Sequence, residues 1–283
     1  MLLNEIKKIF HRELNELYGE NEVSSFFYLL IGHYLDLERF VLSIQPNLVL
    51  SKDEEAPLFA ALSQLKFQKP IQHIIGFTEF MDLKFMVGPE VLIPRPETEE
   101  LVRWILDDFQ VQNSQNLKIL DIGTGSGCIP ISLAKNLKSA LISALDISPD
   151  ALEMAETNAK TNGVTIDFFQ ADILQVEIQS QFDIIVSNPP YVRVLEKEEM
   201  STNVLAYEPE IALFVSDKDP LVFYRAIAAI AEKSLTKNGS LYLEINQYLR
   251  KEMVNLLEKY TFKNIELRKD IFGNDRMVKA VKK

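Results

Sequence analysis

Apolar side chains return at three- and four-residue steps through the first part of the chain. Leu3, Ile6, Phe10, Leu14 and Leu17 form one stripe, and residues 22–46 continue in the same period. That period puts them on one face of successive helices, so residues 1–75 read as a small all-α bundle domain. Ser51 and Glu54 have the spacing of a capping box, which opens a further helix by satisfying orphan backbone donors. From Gly76 to Pro96 the helical period stops. Gly88, Pro89, Pro94 and Pro96 punctuate a stretch in which Phe80, Leu83, Phe85, Val91 and Ile93 look strand-like, so residues 76–96 read as a linker built around a β-hairpin.

From residue 97 to 283 the pattern alternates. Short apolar runs predict strands at Lys118–Ile122, Leu141–Ile147, Thr165–Gln170, Phe182–Ser187 and Ser240–Ile245. Between them, helical periods cover Cys128–Asn136, Pro149–Asn162 with Ser148 as cap and Gly163 as stop, Pro220–Leu235 and Tyr248–Tyr260. A helix also begins just after Pro96, where Glu97, Glu99 and Glu100 face its positive end. Strands alternating with helices imply parallel strands joined by crossovers, an open α/β sheet. The tail from Asn264 to Val281, interrupted at Gly273, supplies a terminal antiparallel hairpin.

Charge and composition narrow the chemistry. The chain has 30 basic and 41 acidic residues, a net charge of −11, and no basic stripe. Stable binding of nucleic acid through its phosphates is therefore not expected. Cys128 is the only cysteine, and His11, His33 and His73 are scattered, so no disulfide and no metal centre are expected. The most apolar stretch, Phe26–Leu35, is too short to span a bilayer, and the amino terminus lacks the ordered regions of a signal peptide, which makes the cytoplasm the default address.

Two motifs carry candidate chemistry. In the first, the strand Leu120-Asp121-Ile122 runs into Gly123-Thr124-Gly125-Ser126-Gly127 and then a helix. Asp146 follows at the end of the next strand, where a carboxylate accepts both hydroxyls of a ribose. The glycines run G-x-G-x-G, out of register with the dinucleotide fingerprint G-x-G-x-x-G, and no Lys-Ser/Thr completes a P-loop. A nucleoside without phosphates but with an amino-acid tail fits better, which points to S-adenosylmethionine, with Asp121 near its ammonium.

The second motif, Asn188-Pro189-Pro190-Tyr191, follows the strand ending at Ser187 and overhangs the same crevice. The prolines stiffen the loop, and the Asn188 side-chain oxygen and the Pro189 carbonyl can each accept one proton of a planar NH₂ while the Tyr191 ring packs on its flat face. An amide or aromatic amine is a poor nucleophile, so catalysis by orientation beside a sulfonium methyl suits this loop and needs no nucleophilic side chain. Cys128 reads as a small core residue and Trp104 as core, while Arg95 could contact a substrate or pair with a nearby carboxylate.

Both motifs resemble the amino-group methyltransferases that use S-adenosylmethionine. The segment Gly88-Pro89-Glu90-Val91-Leu92-Ile93-Pro94-Arg95-Pro96-Glu97-Thr98-Glu99 further resembles the linker signature of the release factor glutamine N5-methyltransferases, the HemK/PrmC family. Pro70-Ile71-Gln72-His73-Ile74-Ile75-Gly76, Tyr207-Glu208-Pro209 and Gly273-Asn274-Asp275-Arg276 resemble further segments of that family. The resemblance implies a Rossmann-like class I methyltransferase sheet. The implied reaction methylates the side-chain amide N5 of the glutamine in the Gly-Gly-Gln motif of class 1 peptide chain release factors, and its by-product is S-adenosyl-L-homocysteine. By motif, Gly123, Thr124, Gly125, Ser126 and Gly127 hold the methionine part of the donor, Asp146 its ribose, and Asp172 with Ile173 border its adenine. Asn188, next to the donor, Pro189, Pro190 and Tyr191 hold the glutamine, with Asn188, Pro189 and Tyr191 catalytic. The resemblance also implies that the helical domain recognises the release factor; separately from it, a monomer is expected. Ser216-Asp217-Lys218-Asp219-Pro220 departs from the family, whose members often carry glycine there.

Two other readings remain open on sequence. A nucleic-acid adenine N6-methyltransferase presents a flat NH₂ to the same loop, although no Lys/Arg cluster supplies its groove. A catalytically silent nucleoside-binding scaffold would not need the intact Asn188–Tyr191 loop.

Overall fold

The computed structural model describes residues 1–110, 116–260 and 262–283, which fall into two compact units. Met1–Gly76 with Ser201–Tyr207 form the first, and Phe77–Met200 with Glu208–Lys283 the second. No helix among the described residues is long and apolar enough to cross a membrane.

The first unit is helical: Leu3–Tyr18, Glu20–Leu35, Val41–Ile44, Lys52–Lys66 and Ile71–Ile75, joined by Thr202–Tyr207 from later in the chain. Leu3, Ile6, Phe10 and Leu14 are buried along one stripe and pack with Phe27, Leu30, Leu58 and Leu65. Ser51 and Glu54 form the capping box, the Ser51 N–H donating to Glu54 at 2.7 Å. The periodicity of residues 22–46 does not give continuous helix. Asp36 takes φ +54° and ends the second helix, because a left-handed residue turns the next carbonyl away from the helix axis.

In the second unit, β1 (Phe77–Phe80) and β2 (Leu83–Met86) form the antiparallel hairpin, with Phe80 and Phe85 buried. Val91 and Ile93 are also buried but lie outside any strand, since Gly88, Pro89 and Pro94 interrupt the ladder. The main strands follow as β3 (Lys118–Ile122), β4 (Leu141–Asp146), β5 (Asp167–Gln170) and β6 (Phe182–Ser187). Two-residue strands β7 (Val192–Arg193) and β8 (Phe214–Val215) pair with each other, and β9 (Leu235–Glu244), β10 (Phe262–Lys269) and β11 (Asp275–Lys282) follow.

The seven-stranded sheet has the order β10-β11-β9-β6-β3-β4-β5. Strands β5, β4, β3, β6 and β9 are parallel neighbours, while β11 and β10 run antiparallel at one edge, so the open α/β sheet and its terminal hairpin are both present. Apolar layers cover both faces: Leu101, Ile105, Ile129 and Ile131 on one, Ile227, Ala231, Met253 and Leu257 on the other. β9 begins at Leu235, directly after the helix Val222–Ser234, and not at Ser240 as its apolar run implied. The stretch from Val192 to Val215, where sequence periodicity is weak, holds short helices and the β7–β8 pair.

Candidate active site

The two motifs leave the sheet side by side. β3 and β6 are adjacent parallel strands in which Ile122 stands opposite Ser187, and the buried Ser187 hydroxyl donates to the Ile122 carbonyl at 2.6 Å. From β3 the chain builds toward β4 and β5 on one side and returns with β6 on the other, which makes this the switch point where open sheets form a crevice. A cavity of about 250 Å³ lies there, lined by Gly123–Ser126, Asp146, Asp172 with Ile173, and Asn188–Pro190.

Gly123 and Gly125 have φ of +74° and +53°, and a Cβ on either would meet nothing within 4 Å. The backbone thus turns at no steric cost and leaves open space for a ligand. Asp146 is held from both ends: Oδ2 accepts the Gly125 N–H at 2.8 Å and Oδ1 the Ser148 N–H at 3.0 Å. Each oxygen keeps a further lone pair for the cavity. Asp172 is anchored likewise, Oδ1 accepting from the Leu174 N–H at 2.9 Å and Oδ2 from the Gln175 amide at 2.6 Å.

Two residues of this group do not reach the wall. Gly127 has φ +80°, but a Cβ there would lie 2.9 Å from Ile131 Cδ1 and 3.1 Å from Ala155 Cβ, so this glycine serves helix packing instead. Asp121 is fully buried beneath the loop, and among the described residues neither its oxygens nor the Thr124 hydroxyl has a partner at hydrogen-bond geometry. Burial pushes the Asp121 carboxyl up to about 7; the nearby Thr124 hydroxyl opposes the rise and the Asp146 charge adds to it. Cys128 does line the cavity, but burial pushes its thiol up to about 12, which leaves it no thiolate with which to act as a nucleophile.

In the proline loop, Asn188, Pro189 and Pro190 line the cavity, whereas Tyr191 does not. Its side chain packs against the apolar layer that holds Ile185, Tyr224 and Leu243, and its hydroxyl donates to Glu244 Oε1 at 2.8 Å. The reason lies in Glu244, a carboxylate only 2% exposed that requires donors. Its other oxygen accepts the Thr98 hydroxyl at 2.7 Å, and Asn188 Nδ2 donates to Thr98 Oγ1 at 3.1 Å. Burial raises the Glu244 carboxyl, while the Thr98 and Tyr191 hydroxyls and the Arg276 guanidinium oppose that rise. Asn246 fixes the loop's exit by donating to the Tyr191 carbonyl at 3.0 Å.

The segment before the helix Pro96–Gln110 is pinned as well. Arg95 pairs with buried Glu208 at 2.5 Å, and Glu208 also accepts the Ile93 N–H at 3.1 Å. The buried Asn158 amide donates to the Ser126 and Met86 carbonyls at 2.9 and 3.0 Å and accepts the Met86 N–H at 2.6 Å, tying the glycine loop to the hairpin. Thr98, Glu244 and Asn158 escaped sequence reasoning. One signal was present: Glu244 is an acid inside the apolar run Leu241–Ile245, and acids are seldom fully buried without partners.

Family models match two stretches, the PrmC N-terminal domain over residues 8–76 and the methyltransferase small domain over residues 102–213. A release factor glutamine methyltransferase from Flavobacterium psychrophilum is 53% identical over 282 residues, 99% of each chain. The chain belongs to the release factor glutamine methyltransferase family. A second member, from Bacteroides thetaiotaomicron, is 41% identical over 98% of this chain and 99% of its own. Among solved structures, a methyltransferase from Pyrococcus furiosus matches with a TM-score of 0.53 at 16% identity, covering 82% of this chain and 98% of its own, which shows a shared fold.

Proposed function

We propose that this enzyme transfers the methyl group of S-adenosylmethionine to the side-chain amide nitrogen of the Gly-Gly-Gln glutamine in class 1 peptide chain release factors. The observation that carries this reading is the single cavity into which both the glycine loop and the proline loop project from the register partners Ile122 and Ser187.

The residues present fit the donor. Asp146 offers a lone pair on each oxygen to a ribose diol, and Gly123 and Gly125 leave room for the methionine part. The unpartnered Asp121 carboxylate beneath them calls for a cation such as an ammonium. Asp172 and Ile173 border the adenine end. When bound, the donor supplies an electrophilic methyl on a sulfonium.

The protein's task is then to hold the amide. Asn188 Nδ2 is committed to Thr98, which leaves Oδ1 to accept one proton of the substrate NH₂, and the Pro189 carbonyl accepts the other. Two fixed acceptors aim the nitrogen at the methyl and favour the pyramidal geometry that develops during transfer. With the donor held by the glycine loop and Asp146, the amide nitrogen aimed by Asn188 and Pro189 would take the methyl as the methyl–sulfur bond breaks, and the displaced N–H proton would pass to solvent, so no covalent bond to the enzyme is needed. Tyr191 serves as the anchor of the loop through Glu244. The helical unit recognises the release factor, and the enzyme works as a cytoplasmic monomer without stable nucleic-acid binding.

The test is transfer of labelled methyl from S-adenosylmethionine to a purified class 1 release factor, run beside unmethylated DNA and RNA, with the product located by mass spectrometry. Label on the Gly-Gly-Gln glutamine, lost when that glutamine is replaced, is the expected result. Label on adenine, or donor binding without transfer, overturns the proposal.

A further inference from the structure

The side chains of Asn188, Thr98 and Glu244 form a hydrogen-bonded chain whose direction is fixed at its buried end. Glu244 accepts from two hydroxyls, Tyr191 at 2.8 Å and Thr98 at 2.7 Å; the Arg276 guanidinium, which donates to the Tyr191 hydroxyl at 3.3 Å, opposes the rise that burial imposes on this carboxyl, and in its ionised form the carboxylate can only accept. Thr98 has one hydroxyl proton, and Glu244 takes it. Toward Asn188, 3.1 Å away, Thr98 therefore presents only lone pairs, so Asn188 must turn its NH₂ to Thr98. The amide is planar, and its oxygen faces the other way. Thr98 and Asn188 both line the cavity, while Glu244 is buried behind them.

We infer that Thr98 and Glu244 are positioning residues that set the polarity of the Asn188 amide, so that an acceptor and not a donor meets the substrate NH₂. The inference rests on the glutamine reading proposed above. A flipped Asn188 would set one NH₂ against another, with no hydrogen bond between them. Glu244→Gln would allow that flip: its NH₂ can donate to Thr98, which frees the Thr98 hydroxyl to donate to the Asn188 oxygen.

The experiment compares the full-length wild type with Thr98→Val, Thr98→Ser and Glu244→Gln. It measures kcat and KM for a class 1 release factor, and donor affinity by calorimetry. Thr98→Val, nearly isosteric but without the hydroxyl, should lower kcat about 30-fold or more, and Glu244→Gln likewise, with donor affinity within about twofold. Thr98→Ser restores the hydroxyl and should keep kcat within about threefold of wild type. Thr98→Val at wild-type kcat, or Thr98→Ser as slow as Thr98→Val, overturns the inference. A second measurement needs no substrate: the Asn188 side-chain NH₂ resonances, assigned by their loss in Asn188→Ala, should exchange with solvent slowly in the wild type and quickly in Thr98→Val. Equal exchange in both also overturns it. If the wild type moves no methyl to a release factor, the functional reading fails while this exchange measurement still decides the polarity. Should Glu244→Gln not fold, the two Thr98 variants decide alone.

Discussion

The Gly125 backbone N–H donates to Asp146 Oδ2 at 2.8 Å, so the glycine loop and the acid at the end of β4 form one unit. Replacing Asp146 by Ala removes the acceptors for the ribose and also releases the loop that they hold. Donor affinity should fall by about tenfold or more, the cost of losing hydrogen bonds to a charged group, while kcat at saturating donor changes less. Calorimetry with S-adenosylmethionine or its homocysteine product checks this, and unchanged affinity would remove Asp146 from the ribose site.

Asn188→Ala should behave in the opposite way. The side chain contributes an acceptor to the amide being methylated and makes few demands on the donor, so donor affinity should stay within a few-fold while kcat drops about 100-fold, as for loss of a transition-state hydrogen-bonding group. Single-turnover methylation of a release factor reads this directly. A mutant with near-full rate would show that Asn188 does not hold the substrate.

The glycines of one loop should separate by phenotype. At Gly127 a methyl group meets Ile131 and Ala155 at 2.9–3.1 Å, and Gly127→Ala should lower stability by about 1–3 kcal/mol through overpacking, on top of the strain of a positive φ. At Gly125 the same methyl points into open space, so Gly125→Ala should show only the backbone strain of roughly 1–2 kcal/mol, and its larger effect should fall on donor binding. Urea denaturation beside donor titration distinguishes the two; equal losses of stability would contradict the packing role of Gly127.

Asp121 should make the ligand-free protein less stable as pH rises. Its folded-state carboxyl is raised to about 7 from an ordinary value of 3.8. Stability is therefore full below pH 3.8, is lost as pH rises through 7, and remains lost above it. Asp121→Asn removes the ionisation and should stabilise the ligand-free protein on the order of 2–4 kcal/mol at pH 8, with the advantage shrinking toward pH 4. Melting temperatures across that range test the sign, and an advantage independent of pH would refute it.

Much of this architecture was legible in the chain because it depends on local periodicity. The strand ends at Ile122 and Ser187, the helix Cys128–Asn136 and the Ser148 cap follow from patterns that a few residues carry by themselves, whereas β4 stops at Asp146, one residue before the Ile147 its apolar run implied. The region from Val192 to Val215 was less legible, since two-residue strands such as β7 and β8 leave no period to detect and owe their pairing to each other. Asp36 illustrates the same limit: an apolar pattern continues past it, but one left-handed residue ends the helix.

The site divides along similar lines. Sequence alone determined which residues could turn sharply, accept protons or stiffen a loop: Gly123, Gly125, Asp146, Asn188 and the two prolines, each identifiable by type and by its place after a strand. Only the tertiary structure decided which of them share a wall. It sent Gly127 to a helix contact, sank Asp121 under the loop and drew Tyr191 toward Glu244, because a buried carboxylate takes donors from wherever the fold brings them. Thr98, Asn188 and Glu244 lie in three distant segments, and a hydrogen bond depends on separation in space, to which distance along the chain is no guide.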